Sequence, residues 1–171
     1  MNRVFIICLC VLAFAGCKKS DSLQKQVQAQ AIVDDQLIVD YIAKNNLNAT
    51  KIKVSSNANA DTTGIWYVMT ITGTETALIT NSSLLTVGYT GRLMSTGAVF
   101  QQTNTFHPSY RLGDMIRGWQ LGLTKAGIRK GGKIRLLMAS RYAYGPYEQP
   151  TFGLPANAIL DFDIELFDVT N

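Results

Sequence analysis

The chain's few residues suited to metal or nucleophilic chemistry are three cysteines and one histidine, and their placement limits what they can do. Cys8 and Cys10 lie inside an unbroken apolar run from Val4 to Ala15, so their Cys-x-Cys spacing carries no metal or redox meaning. Cys17 directly follows that run. His107 stands beside Pro108 in a polar stretch and reads as an exposed side chain. One histidine without a set of thiols cannot assemble an ordinary transition-metal site, so no metal and no other cofactor is expected. No Gly-x-Ser-x-Gly elbow and no phosphate-binding loop is present. Arg129, Lys130 and Lys133 are interrupted by Gly131-Gly132, which reads as a solvated hairpin turn. The net charge of +4 is otherwise spread thinly, without the basic stripe that nucleic acid requires. What remains is aromatic. Taken singly, Trp119, Tyr89, Phe100 and Phe162 read as core, whereas Tyr144, between Ala143 and Gly145 in a loop, has a polar tip to place.

With 171 residues, 47% of them hydrophobic and 16% charged, the chain has the composition of about one globular domain. Such a domain buries enough core to need no disulfide. Asn2 and Arg3 precede the Val4–Ala15 run, which is shorter than the ~20 residues of a membrane-spanning helix. Residues 1–16 therefore read as a secretory signal peptide. The ending Phe14-Ala15-Gly16-Cys17 resembles the lipobox of bacterial lipoproteins. That resemblance implies cleavage before Cys17, a diacylglycerol on its thiol and an acylated new amino terminus. The mature chain would then be anchored to a membrane of the bacterial cell envelope, facing the periplasm, with no second cysteine for a disulfide.

The positioning elements follow from periodicity. Lys18 to about Gln30 is polar and reads as a tether. Ile32, Val33, Leu37, Ile38, Tyr41 and Ile42 recur mostly at helical spacing and predict a helix over 31–46. Residues 55–63 read as a loop. Period-2 alternation predicts strands at Ile65–Ile71, Leu85–Tyr89, Ile134–Met138 and Leu160–Leu166. In the last, Asp161, Asp163 and Glu165 alternate with the apolar set, which predicts an antiparallel sheet with one solvated face. Met115, Ile116, Trp119 and Leu123 predict a short amphipathic helix to cover the apolar face. The fold class is α+β. Residues 17–63 form the anchor, tether and amino-terminal helix, and 64–171 the main domain.

Six segments then occur in order: Val87-Gly88-Tyr89-Thr90-Gly91, Gly97-Ala98-Val99-Phe100, Met115-Ile116-Arg117-Gly118-Trp119, Ala143-Tyr144-Gly145, Leu154-Pro155-Ala156-Asn157 and Leu160–Leu166. Together they resemble the FKBP family of peptidyl-prolyl cis/trans isomerases, from about Leu84 to Val169. The resemblance implies an antiparallel sheet of five or six strands wrapped around one short helix. It also implies proline isomerisation during the folding of envelope proteins, on unfolded or partly folded polypeptides, and binding of rapamycin-type macrolides. Carried onto this chain, Trp119 is the pocket floor and Tyr89, Phe100, Ile116 and Phe162 are its walls. Met115 stands at the rim and Tyr110 is a further pocket aromatic, with Phe152 and Leu154 completing the substrate-binding set. The Ile116 N–H and the Tyr144 hydroxyl would hold substrate carbonyls. Gln101 replaces an acidic residue usual in the family, and the segment up to Tyr110 lacks the base that often pairs with it. The Gln101 amide is expected to accept a hydrogen bond from Tyr89 in the acid's place. The loop 146–153, with Tyr147, Pro150 and Phe152, differs in length from the family's. A client-binding domain with little or no turnover is the alternative reading, and the oligomeric state stays open.

Overall fold

A computed structural model describes residues 17–54, 64–75 and 77–171, with side chains from residue 23 onward. The expected signal peptide, the Cys17 side chain and the expected 55–63 loop lie outside the described residues. No described helix is long and apolar enough to cross a membrane.

Alternating residues build the sheet. Its strands are β1 (Thr50–Lys51), β2 (Ile65–Ile71), β3 (Leu84–Leu93), β4 (Val99–Gln102), β5 (Ser109–Arg111), β6 (Lys133–Met138) and β7 (Leu160–Thr170). They pair antiparallel in the order β1-β2-β6-β7-β3-β4, with β5 on β3 as well. β4 pairs with Thr90–Arg92 and β5 with Leu84–Thr86, so the two share one edge of β3. Seven strands exceed the expected five or six, and the two-residue β1 is one that no periodicity marks.

On one face, Leu160, Phe162, Ile164 and Leu166 of β7 join Leu85, Val87 and Tyr89 of β3 in the main core. Helix α2 (Arg117–Ala126) covers this face and buries Gly118, Trp119, Gly122 and Leu123. Its two glycines let it lie close on β6: a Cβ at Gly118 would strike Met138, and one at Gly122 would meet Leu136 Cδ1 at 2.8 Å. Gly127, at φ 72°, ends the helix in the left-handed conformation common at helix ends. The glycine-rich turn at 131–132 leads from α2 into β6, so it is not a hairpin between two strands. There Lys130 pairs with Asp168 at 3.0 Å and with Glu75 at 3.3 Å.

The opposite face differs from expectation. It is partly covered by α1 (Cys17–Lys44), whose fully buried Ile38 packs with Trp66, Met94, Leu137, Ala139 and Ile159. Asp161, expected at the solvent, is therefore only 2% exposed. Arg135 holds it with two hydrogen bonds of 2.9 and 2.7 Å and donates a third to the Tyr41 hydroxyl at 2.8 Å. Helix α1 also runs through Lys18–Gln30, the stretch expected as a tether. Gln, Lys, Ala and Leu favour helix intrinsically, so no apolar stripe is needed to make that stretch helical. His107 is half-buried rather than exposed, with its ring stacked on Phe167 at 3.8 Å.

Candidate active site

Five strands and helices together with two loops bring the expected aromatic residues into one cluster. Trp119, 2% exposed, comes from the first turn of α2. Tyr89 of β3 and Phe162 of β7 meet its indole nearly at right angles, at centroid distances of 5.3 and 5.4 Å. Phe100 of β4 lies 5.6 Å from Phe162, and Phe152 lies 6.1 Å from Phe100. Tyr144 is 6.1 Å from Phe152, and Tyr110 of β5 is 6.5 Å from Tyr89. Edge-to-face contacts at such distances are individually worth ~0.5–1.5 kcal/mol beyond area burial. The result is a continuous cup of rings with no charged member.

Gly91, on β3 opposite Phe162 and Gln101, makes the room for it. A Cβ there would lie 2.6 Å from Phe162 Cε1 and 2.8 Å from Phe100 Cζ. The sequence marks Gly91 only as part of a motif; an isolated glycine in a strand is itself a sign of close approach.

At the lip, Ile116 precedes α2 in an extended conformation (φ −56°, ψ 150°). Its carbonyl accepts the Trp119 and Gln120 N–H groups, while no acceptor among the described residues takes its own N–H. Met115, half-buried beside it, accepts a hydrogen bond from Gln120 Nε2 at its carbonyl. Burial pushes the Tyr144 phenol up. Tyr89 is pushed up further, chiefly by burial and then by hydrogen bonding to Tyr110. The Trp119 Nε1 is buried with no hydrogen-bond partner among the described residues.

Leu154, 3% exposed, belongs to the same buried cluster as Trp119, Tyr89 and Phe162, with Phe100 and Phe152 packed against it, and its backbone pairs with Gln149 to close the 146–153 loop. Gln101 is exposed on β4, and among the described residues no side-chain hydrogen bond joins it to Tyr89. The register slips by one residue at Phe100, so Gln101, opposite Gly91, falls on the same side of the sheet as Phe162 while its side chain stays exposed; the tyrosine next to Tyr89 is Tyr110.

A sheet closed over one short helix, with an uncharged aromatic cup at the helix start, suits an apolar ring and a neutral backbone. Residues 75–167 match the model of the FKBP-type peptidyl-prolyl cis-trans isomerase family. The chain belongs to that family. It is 35% identical, over 76% of its length, to the FKBP-type peptidyl-prolyl cis-trans isomerase FkpA of Buchnera aphidicola, covering 61% of that protein. It is likewise 35% identical to FkpA of Escherichia coli, again over 76% of its own length but only 47% of that relative's. Among solved structures it resembles a peptidyl-prolyl cis-trans isomerase from Pseudomonas syringae (TM-score 0.63, 26% identity, 84% of this chain and 96% of that one). It also resembles the crystal structure of E. coli FkpA (TM-score 0.61, 31% identity, 88% of this chain and 66% of that one).

Proposed function

We propose that this chain is a peptidyl-prolyl isomerase acting on proline-containing, unfolded or partly folded polypeptides of the bacterial envelope, held to the membrane through lipid on Cys17. The aromatic cup on Trp119, with an Ile116 N–H at its lip that no acceptor among the described residues takes, carries the catalytic part of this reading. The lipobox spelling carries the anchor.

The chemistry needs no nucleophile. Rotation about an X-Pro bond meets a barrier of ~18–20 kcal/mol because amide resonance keeps the bond planar. Resonance also places negative charge on oxygen and positive charge on nitrogen. The twisted transition state loses that polarity, so an apolar cup favours it over the planar ground state, which is differential binding of the transition state. In this site the proline ring lies on Trp119 between Tyr89, Phe100 and Phe162. The Ile116 N–H and Tyr144 hydroxyl hold flanking carbonyls and fix the chain on either side of the rotating bond. A thousandfold acceleration requires only ~4 kcal/mol.

One observation favours the alternative of a client-binding domain with weak turnover: Gln101 is exposed and uncharged, and leaves the cup without an ionised acceptor. Proline-isomerisation kinetics on the full chain, with and without a rapamycin-type macrolide, decide between the two. Macrolide-sensitive turnover is expected, and Gln101→Asp changes it by less than about threefold because that side chain is exposed and, among the described residues, makes no hydrogen bond to Tyr89. Full binding of the macrolide and of unfolded clients with no turnover would select the client-binding reading. Cys17→Ala should release the protein from the membrane fraction; continued sedimentation with membranes after a high-salt wash would remove the lipid anchor.

A further inference from the structure

We infer that Asp34, on the amino-terminal helix, is a positioning residue for isomerisation, because its buried carboxylate fixes the turn that carries Tyr144. The inference rests on the isomerase reading above.

Asp34 is fully buried, and the proposed chemistry gives it no role. Three donors converge on its two oxygens. Ser140 donates its backbone N–H to Oδ2 at 2.9 Å and its hydroxyl to the same oxygen at 2.6 Å, and Gln30 Nε2 donates to Oδ1 at 2.7 Å. Ser140 opens the single 3-10 turn Ser140–Tyr142, whose preceding residue Ala139 supplies no side-chain cap. The first N–H of such a turn has no partner within it. Asp34 supplies the missing acceptor from 106 residues away. A carboxylate acceptor makes bonds roughly twice as strong as neutral ones.

Ser140 is also the hub of the loop that bears Tyr144. Its carbonyl accepts the Ala143 N–H at 2.9 Å and the Gly145 N–H at 2.8 Å, so the backbone is tied on both sides of Tyr144. The Gly145 carbonyl in turn accepts the Asn157 N–H at 2.8 Å. A second link parallels the first: Arg141 Nη2 donates to Asp35 Oδ1 at 2.7 Å. Gly64 lies in the same seam, where a Cβ would come within 2.7 Å of Ala139, Arg141 and Asp35. Two consecutive acids of α1 thus grip two consecutive residues of the turn. Both acids lie outside residues 75–167, so the stretch matched by the family does not itself contain the clamp.

The test is an epistasis measurement on the full-length chain. Asp34→Ala should lower kcat/KM for a proline peptide about tenfold, the equivalent of ~1.4 kcal/mol. In a Tyr144→Phe background the same change should cost less than twofold, because the hydroxyl it positions is already gone. An equal loss in both backgrounds, or full activity in folded Asp34→Ala, would overturn the inference. If Asp34→Ala does not fold, Ser140→Ala, which removes only one donor, should show the same dependence on Tyr144; independence of Tyr144 would count against the clamp. Amide exchange separates this contact from the isomerase reading. Asp34→Asn should speed exchange selectively at Ser140, Ala143 and Gly145, and unchanged exchange there would refute the clamp. A wild-type chain with no turnover would instead remove the isomerase reading and, with it, Asp34's positioning role.

Discussion

Replacing Gly91 by alanine tests whether the aromatic cup is as tightly built as the ring distances indicate. Gly91 does not adopt positive φ, so the backbone itself accepts alanine. The new methyl lands 2.6 Å from Phe162 and 2.8 Å from Phe100, where carbon contacts normally settle at ~3.5–4.0 Å. Each ring must therefore retreat by roughly 1 Å. Neither is free to do so, since Phe162 is packed by Trp119, Tyr89 and Phe100, and Phe100 by Phe152. Overpacking of this kind costs ~1–3 kcal/mol. Alanine's smaller loss of backbone freedom in a strand returns ~0.5–1 kcal/mol. The net loss is up to about 2.5 kcal/mol and centred near 1, and each 1 kcal/mol lowers Tm by roughly 2–4 °C for a domain of this size. Turnover should suffer more, by about tenfold to a hundredfold at a temperature where both proteins are folded, because displacements near 1 Å at a site have that effect. Thermal unfolding followed by circular dichroism, with isomerisation kinetics on the same samples, gives both numbers. A Gly91→Ala protein with unchanged Tm and unchanged turnover would show that the rings do not crowd that position.

Two other expectations concern the same rings. A rapamycin-type macrolide seated on Trp119 should perturb its fluorescence, and Trp119→Ala should weaken binding by ~3 kcal/mol or more; Trp66, in the cluster under α1, is the internal control. A signal that survives Trp119→Phe and vanishes in Trp66→Phe would place the ligand elsewhere. The Tyr89 phenol is raised above its ordinary value of 10.0, first by burial and then by Tyr110. The folded state therefore favours the protonated form. The associated stability is complete below the unfolded pKa and is lost as pH rises from there toward the folded pKa. Unfolding midpoints measured from neutral to strongly alkaline pH should fall less steeply in Tyr89→Phe than in wild type, and parallel curves would contradict the assignment.

Strands β2, β3, β6 and β7 and helix α2 are legible because each buries one face, and burial of one face writes its period into the sequence, whereas β1, β4 and β5 span two to four residues and are too short to carry one. The cup is legible only through resemblance. Its rings come from β3, β4, β5, α2, β7 and two loops, and no local pattern links elements so far apart. Gln101 shows what a resemblance cannot supply. The register slip at Phe100 leaves Gln101 on the side of the sheet that carries Phe162 but exposed, whereas the family's acid suggests a partner for Tyr89.

The two largest differences from expectation share one cause. Alternation in β7 correctly separates Asp161 from Phe162, yet a period says which residues share a face and nothing about what covers that face. The cover is α1, part of which reads as a tether because Lys18–Gln30 lacks an apolar stripe. Once Ile38 is set on Trp66 and Leu137, Asp161 is shut off from water and requires Arg135, and Asp34 is brought onto Ser140. One helix, expected over 31–46 but with no packing site legible in its sequence, thus accounts for both buried acids. Each is held by donors from a distant element, Asp161 by Arg135 of β6 and Asp34 by the turn before Tyr144. An uncompensated carboxylate in either place would be strongly destabilising, so the helix, the far side of the sheet and the loop bearing Tyr144 are bound together by the requirement to satisfy them.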